Sequence, residues 1–201
     1  MSDERPMGDT SPNDGKLRRL PAGVLHMRLR LAPECQHLVN EGLPPGMLSA
    51  RLRALGLLRE QLAFFAYALP EREAVWWGCM CVLHATPTEL APEQRHALAL
   101  AQDWVRHPSE ARRLESRAAA KAAGCVSPAA FVARAVFASQ LARPASTRAG
   151  RLVEGAIRRA AASGAPERSE ASLRRFIDSA EDIAEGGPGW LPPLADAGTP
   201  A

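Results

Sequence analysis

The chain reads as an all-α fold: a compact multi-helix bundle or short irregular helical array, with a disordered tail at each end. Three observations predict it. Apolar residues recur at helical spacing, as in Leu58, Leu62, Phe65 and Leu69, then Leu98, Ala101 and Val105, then Leu173, Ile177, Ala180 and Ala184. No run alternates convincingly with period two. Finally, Pro45, Pro70, Pro92, Pro108, Pro128 and Pro166 each precede a helical pattern, suited to a first turn where a missing N–H is no loss.

Taken in order, residues 1–20 form a Pro-, Gly- and Asp-rich leader, expected to be disordered. Helices follow at approximately 33–40, 45–55, 57–69, 70–84, 91–106, 108–123, 128–142, 146–163 and 166–185. Glu71, Glu93, Glu110 and Glu167 stand in first turns, where a carboxylate complements the helix dipole. Ser127 is a candidate N-cap, and Gly56, Gly124, Gly164 and Gly186 fall where helices should stop. The uneven spacing of the proline starts argues against a solenoid repeat. Residues 187–201 read as a flexible Pro/Gly-rich tail, which leaves a helical domain over 21–186.

Composition narrows the function classes. The 201 residues carry a formal net charge of +3, a small excess, and 46% are hydrophobic. Mean hydropathy of −0.18 excludes a polytopic membrane protein. The longest uncharged apolar run, Ala74–Leu83, is half of the roughly 20 residues that span a bilayer. The leader has no apolar core of the secretory kind. Only Lys16 and Lys121 are lysines; the other cations are arginines, with acids interspersed, so the excess carries no nucleic-acid signal. Cys35, Cys79, Cys81 and Cys125 do not resemble a disulfide scaffold, and the reducing bacterial cytoplasm is the expected compartment.

The densest chemistry lies in LPEREAVWWGCMC, residues 69–81. Neighbours on a helix point about 100° apart, so Trp76 and Trp77 cannot share one narrow face, and a helix apolar all round belongs in the core. As a binding surface instead, the candidates are Arg72, Glu73, Trp76 and Trp77, with Arg72 placed to lie over an indole. Cys79 and Cys81 are about 200° apart and cannot reach one ion. Cys81 and His84, at i and i+3, are the weak metal candidates, with Cys35 or His37 as further ligands; no metal or other cofactor is expected. Trp190 and Leu191, beside Pro192–Pro193, either fold back onto the domain or serve as a short docking motif.

The runs LAFFAYALPEREAVWWGCMC, ALALAQDWVRHPSEARR and AGCVSPAAFVARAVF together resemble an uncharacterised family of bacterial helical proteins with an "ALP-x-x-E-A-V-W-W-x-C" core. The likeness covers roughly residues 55–185 and is most specific at Glu73–Cys79. Glu71 departs from it, standing where a basic residue is expected. The resemblance implies an association with type VI secretion genes and attaches no enzymatic activity.

Other patterns compete. Residues 117–136 have the outline of a helix-turn-helix, but the turn is one residue long of the usual spacing. Its second helix offers Phe131, Val132, Val136 and Phe137, with only Arg134 and Gln140 to read bases. Asp178, Glu181, Asp182 and Glu185 form an acidic stripe that could hold a divalent cation but reads as a solvated face with Arg174 at i−4; the expected basic neighbour is Arg158–Arg159 rather than a partner's surface. No H-E-x-x-H, G-x-S-x-G or P-loop is present, and the five histidines show no dyad spacing. The sequence therefore points to a non-enzymatic helical interaction protein: an adaptor, chaperone or accessory factor that binds a secretion-system component or effector, without nucleic acid or membrane. A small enzyme with an unrecognised site, and a helix-turn-helix DNA binder, are the alternatives.

Overall fold

Backbone chemistry at helix ends organises the chain, as the computed structural model shows for residues 15–86, 90–139, 147–163 and 166–191. After a short α1 (Ala22–Leu29) come a 3-10 turn (Pro33–Cys35), α2 (His37–Asn40), α3 (Pro45–Ala54) and α4 (Leu58–Ala68). The second half holds α5 (Glu71–Ala85), α6 (Pro92–Arg106), α7 (Glu110–Ala122), α8 (Pro128–Ala138), α9 (Thr147–Ala161) and α10 (Pro166–Glu185). No strand occurs among the described residues.

The punctuation acts as its chemistry dictates. Pro45, Pro92 and Pro128 occupy first-turn positions. Ser127 caps α8 by accepting the Ala130 N–H at 3.1 Å. Pro108 instead precedes the α7 cap Ser109, whose hydroxyl accepts the Arg112 N–H at 3.3 Å. Gly56 and Gly124 take φ of 69° and 85°, the left-handed conformation that ends a helix without a Cβ penalty. Gly164, a further expected stop, lies outside the described residues.

Three expectations need correction. Helix α1 is not legible as a helix in the sequence, because its eight residues bury only the i,i+4 pair Leu25 and Leu29. The helix expected at 33–40 breaks at Gln36 into a 3-10 turn and one turn of α2. Helix α8 ends at Ala138 rather than 142, since Ser139 is extended at φ −69°, ψ 147°.

The expected disordered leader and flexible tail fall mainly on residues 1–14 and 192–201, outside the described residues. Where they are described, both pack. Proline 70 has no N–H to offer the end of α4, and Arg18 supplies the missing donors. Its Nη2 donates to Tyr67 O at 3.0 Å and Leu69 O at 2.7 Å, and its backbone N–H to Ala68 O at 2.8 Å. Lys16 N–H likewise reaches Ala184 O at 2.8 Å, so residues 15–20 tie α4 to α10.

Helix α5 lies at the centre, against α4, α6, α8, α9 and α10. It buries Trp77, Cys79, Cys81 and Val82 completely. Trp77 meets the Phe65 ring edge-on, with centroids 6.4 Å apart, and its Nε1 donates to Phe176 O at 2.8 Å. The helix is not buried all round, however: Trp76, Met80 and Leu83 form a half-buried stripe at i, i+4, i+7.

Helix α9 crosses α4 at Gly150, where an added Cβ would stand 2.6 Å from Ala66 O and 2.7 Å from Tyr67 Cδ1. Backbone cannot yield as a side-chain tip can. Gly150→Ala is therefore expected to destabilise by about 1–3 kcal/mol through overpacking. Gly23→Ala, on α1 with nothing within 4 Å, should be neutral or stabilise by about 0.5–1 kcal/mol. Urea unfolding checks both; equal effects would contradict the close crossing.

Candidate functional site

Helix α9, TRAGRLVEGAIRRAA, sorts its side chains more sharply than its charge count suggests. Gly150, Val153, Ala156, Ile157 and Ala160 turn inward, while Arg148, Arg151, Arg158 and Arg159 are exposed. A 3.6-residue period places these two sets on opposite sides. The outer face of α9 runs through a groove of about 1570 Å³. One wall comes from the end of α1 and from α4, through Arg28, Arg30, Arg59 and Tyr67; the other comes from α7 and α8.

The second wall is also basic. Arg113, Arg117 and Lys121 recur along α7 at i, i+4, i+8, one per turn, and Arg134 projects from α8. Ten arginines and one lysine line the groove against two glutamates, Glu60 and Glu154. Glu154 is already engaged: it accepts from Tyr67 Oη at 3.1 Å and from Arg158 Nη1 at 3.1 Å. Burial, reinforced by Glu154, pushes the Tyr67 phenol up to about 12, so it stays a donor. Among the described residues, Arg59, Arg117, Arg134, Arg151 and Arg159 have no carboxylate within ion-pair distance. Arg28 Nε is buried without a hydrogen-bond partner there, an arrangement that leaves donor capacity unused.

The groove's aromatic rings are covered by guanidinium groups. Arg134 and Arg159 lie over Phe131 at 5.6 and 4.3 Å, and Arg113 and Arg117 over Phe137 at 4.9 and 5.1 Å. Arg28 lies 5.4 Å from the Tyr67 centroid. These ring contacts hold the cations in place without neutralising them; Arg113 is in addition paired with Glu110, its Nε and Nη2 donating at 2.7 and 2.6 Å.

The residues singled out from sequence lie elsewhere. Trp77 is fully buried and presents no surface, which removes it as a partner anchor. Arg72 does not stack on an indole; its Nε and Nη2 donate to Val105 O at 3.1 and 2.7 Å, satisfying a carbonyl near the end of α6. Glu73 stands 3.8 Å from Lys16 Nζ. Trp76 Nε1 donates to Pro188 O at 2.8 Å. That bond belongs to a strap over residues 187–191, in which Ser179 Oγ donates to Gly189 O and Gly189 N–H to Asp182 Oδ2, both at 2.7 Å. Within the strap Leu191 is buried, whereas Trp190 is 66% exposed and stays open as a contact residue.

Cys81 and His84 find no further ligands: among the described residues no group of three or more His, Cys, Asp or Glu could hold a metal ion. His84 packs edge-on to Phe176 with centroids 6.0 Å apart. The acidic stripe is answered not by Arg158–Arg159 but by Arg53, whose Nη2 reaches Asp178 Oδ1 and Glu181 Oε2, each at 2.7 Å. Arg174 turns instead to Glu170 at 2.7 Å. The helix-turn-helix reading needed an exposed second helix, but α8 buries Ala129, Ala130, Val132, Ala133, Ala135 and Val136. No helix among the described residues is long and apolar enough to cross a membrane.

A family model described as a family of unknown function (DUF6931) matches residues 48–184, which includes α4 and α7–α9 of the groove. No curated protein and no solved structure matches the chain.

Two outcomes test this geometry. Burial pushes the Cys79 thiol up to about 12 and Cys81 well above its ordinary value, while Cys125 is exposed and Cys35 half-buried. A thiol reagent should label Cys125 first and Cys35 more slowly, with Cys79 and Cys81 reacting only after denaturation; four fast thiols would contradict the packing. Burial, then Arg175, lowers the His84 pKa below its ordinary 6.5. The unfolded chain thus binds a proton that the folded chain refuses, so the His84 contribution to stability is level above about pH 7 and falls as pH drops below 6.5. His84→Leu should flatten that fall between about pH 7 and pH 5.5 in urea unfolding; an unchanged slope would contradict it.

Proposed function

The chain belongs to this family of unknown function, and from that premise we propose that it is a non-enzymatic helical adaptor holding an acidic partner in its arginine groove. Its setting, on the resemblance of the EAVWWGC core, is a type VI-like secretion assembly, with a secretion component or effector as partner. The observation that carries the reading is the charge of the groove, eleven cations against two carboxylates on a chain whose net charge is only +3. Like charges gathered on one face repel and weaken the fold, and an anionic ligand would relieve that repulsion. A site for acid–base or transition-state chemistry would focus its groups on one reacting atom. Here Arg148 and Arg159 alone are about 16 Å apart along α9, which suits an extended binding surface. A groove of about 1570 Å³ also exceeds the roughly 300–1,000 Å³ usual for small-molecule sites.

Tagged full-length protein, expressed in its own bacterium, tests this. A protein partner should co-purify at near-stoichiometric yield, be released between about 0.1 and 0.5 M salt, and be lost from Arg134→Glu/Arg151→Glu. Retention of the same partner by the reversed variant would overturn the groove as the working surface.

A further inference from the structure

The arginine groove has a candidate occupant within the chain itself. Resting on the adaptor reading, we infer that the acidic leader, residues 1–14, docks in the groove of its own molecule and competes there with the acidic partner.

Charge singles the leader out. Asp3, Glu4, Asp9 and Asp14 stand against Arg5 alone, so the side chains of this segment carry −3. The whole chain carries +3, which leaves +6 on residues 15–201. The groove concentrates that excess. Among the described residues its Arg117, Arg134, Arg151 and Arg159 have no carboxylate within ion-pair distance, so an anion brought to them displaces no existing ion pair. The opposite end of the chain fits the part less well. Residues 192–201 hold one acid, Asp196. They leave from the strap on α10, a helix with no described residue in the groove wall.

Position points the same way. The leader lies outside the described residues, but the chain it leaves from is pinned beside the groove. Arg18 donates from its backbone N–H to Ala68 O at 2.8 Å and from Nη2 to Tyr67 O at 3.0 Å, and Tyr67 lines the groove. Gly15 is three residues further on, about 10 Å at full extension, and the fourteen residues before it reach up to about 45 Å. A domain of this size has a radius of gyration of about 16 Å, so the whole groove is in range. Five extended residues cover up to about 17 Å, enough for Glu4 and Asp9 to stand at Arg151 and Arg159, about 12 Å apart along α9. A tether this short gives an effective concentration on the order of millimolar, so a weak electrostatic contact fills the groove.

The same charge count makes the contact displaceable. Eleven cations against two carboxylates leave a surplus of nine, of which the leader answers three. A partner segment with more acids gains contacts that the leader leaves open. The leader therefore sets a threshold: weakly acidic proteins are refused and strongly acidic ones displace it.

The test uses the full-length protein, whose only lysines are Lys16, next to the leader, and Lys121, in the groove. Zero-length carbodiimide coupling joins a lysine amine to a carboxylate in contact with it, and peptide mass spectrometry reads the pair. At about 0.02 M salt the leader acids should link to Lys121 within a monomer, and the link should vanish at about 0.5 M. In parallel, a fluorescent oligoglutamate peptide is titrated at the lower salt and read by anisotropy. A groove open for a fraction of the time binds the probe more weakly by that fraction. Asp3→Asn/Glu4→Gln/Asp9→Asn/Asp14→Asn should therefore tighten the probe by about threefold or more, as for a groove filled two thirds of the time. Arg117→Glu/Arg151→Glu should abolish both the link and probe binding. A Lys121 link found only in crosslinked dimers would overturn the inference in favour of a second copy's leader. Tightening without a link would be long-range charge alone, and a link without tightening would be contact without competition; either overturns it. If reversal abolishes probe binding while neutralising the leader changes nothing and no link forms, the leader fails and the groove reading stands. If the probe binds neither the parent nor the neutralised chain, the groove reading fails as well.

Discussion

The close crossing of α4 and α9 at Gly150 is the contact on which the rest of the architecture depends. With an added Cβ only 2.6 Å from Ala66 O, α9 can approach α4 only where it has no side chain at all. The residues that follow inward, Val153, Ala156, Ile157 and Ala160, are small enough to keep that approach along the helix. Every arginine of α9 is thereby confined to the opposite side, since a guanidinium facing the core would be buried without a carboxylate. Helices α8 and α4 then flank that exposed face, and their own arginines converge on it. Tight apolar packing on one side of a helix and a basic groove on the other are one consequence of one periodicity.

Helix α5 anchors the opposite side of the same core. Trp77 supplies volume, an edge-on contact to Phe65 and a hydrogen bond to the backbone of α10, so it fixes α10 as well as filling space. The chain segments on either side of the domain complete this region. Arg18 closes the end of α4 that Pro70 leaves without a donor, and residues 187–191 fold over Trp76 and Ser179. The EAVWWGC block is thus structural in its second tryptophan and a docking point for the chain's own strap in its first.

Most of the fold was legible because helix ends announce themselves chemically. Proline starts, first-turn acids, the Ser127 cap and glycine stops placed nearly every helix. Helix α1 was hidden because a two-leucine stripe is too short to establish a period. The groove was hidden for a different reason. Its cations come from α1, α4, α7, α8 and α9, and along the chain each is interleaved with acids. In space most of those acids are engaged elsewhere: Asp103 with Arg112, Glu170 with Arg174, and Asp178 and Glu181 with Arg53, while Glu110 pairs with Arg113 at the groove's edge. Net charge counts these pairs as cancelling the groove, although they lie outside it or at its edge. The one signal available in sequence was the four-arginine face of α9, visible only when its 3.6-residue period is drawn.

The central claim is that the groove arginines are surplus to folding. Thermal unfolding of Arg59→Gln/Arg134→Gln/Arg151→Gln against the parent chain, at about 0.02 and 0.5 M salt, measures that directly. The account predicts a Tm no lower than the parent's, and higher at low salt, where relief of like-charge repulsion is least screened. A Tm lower by more than about 4 °C at both salt concentrations, equivalent to roughly 1–2 kcal/mol, would contradict it and make the arginines part of the scaffold.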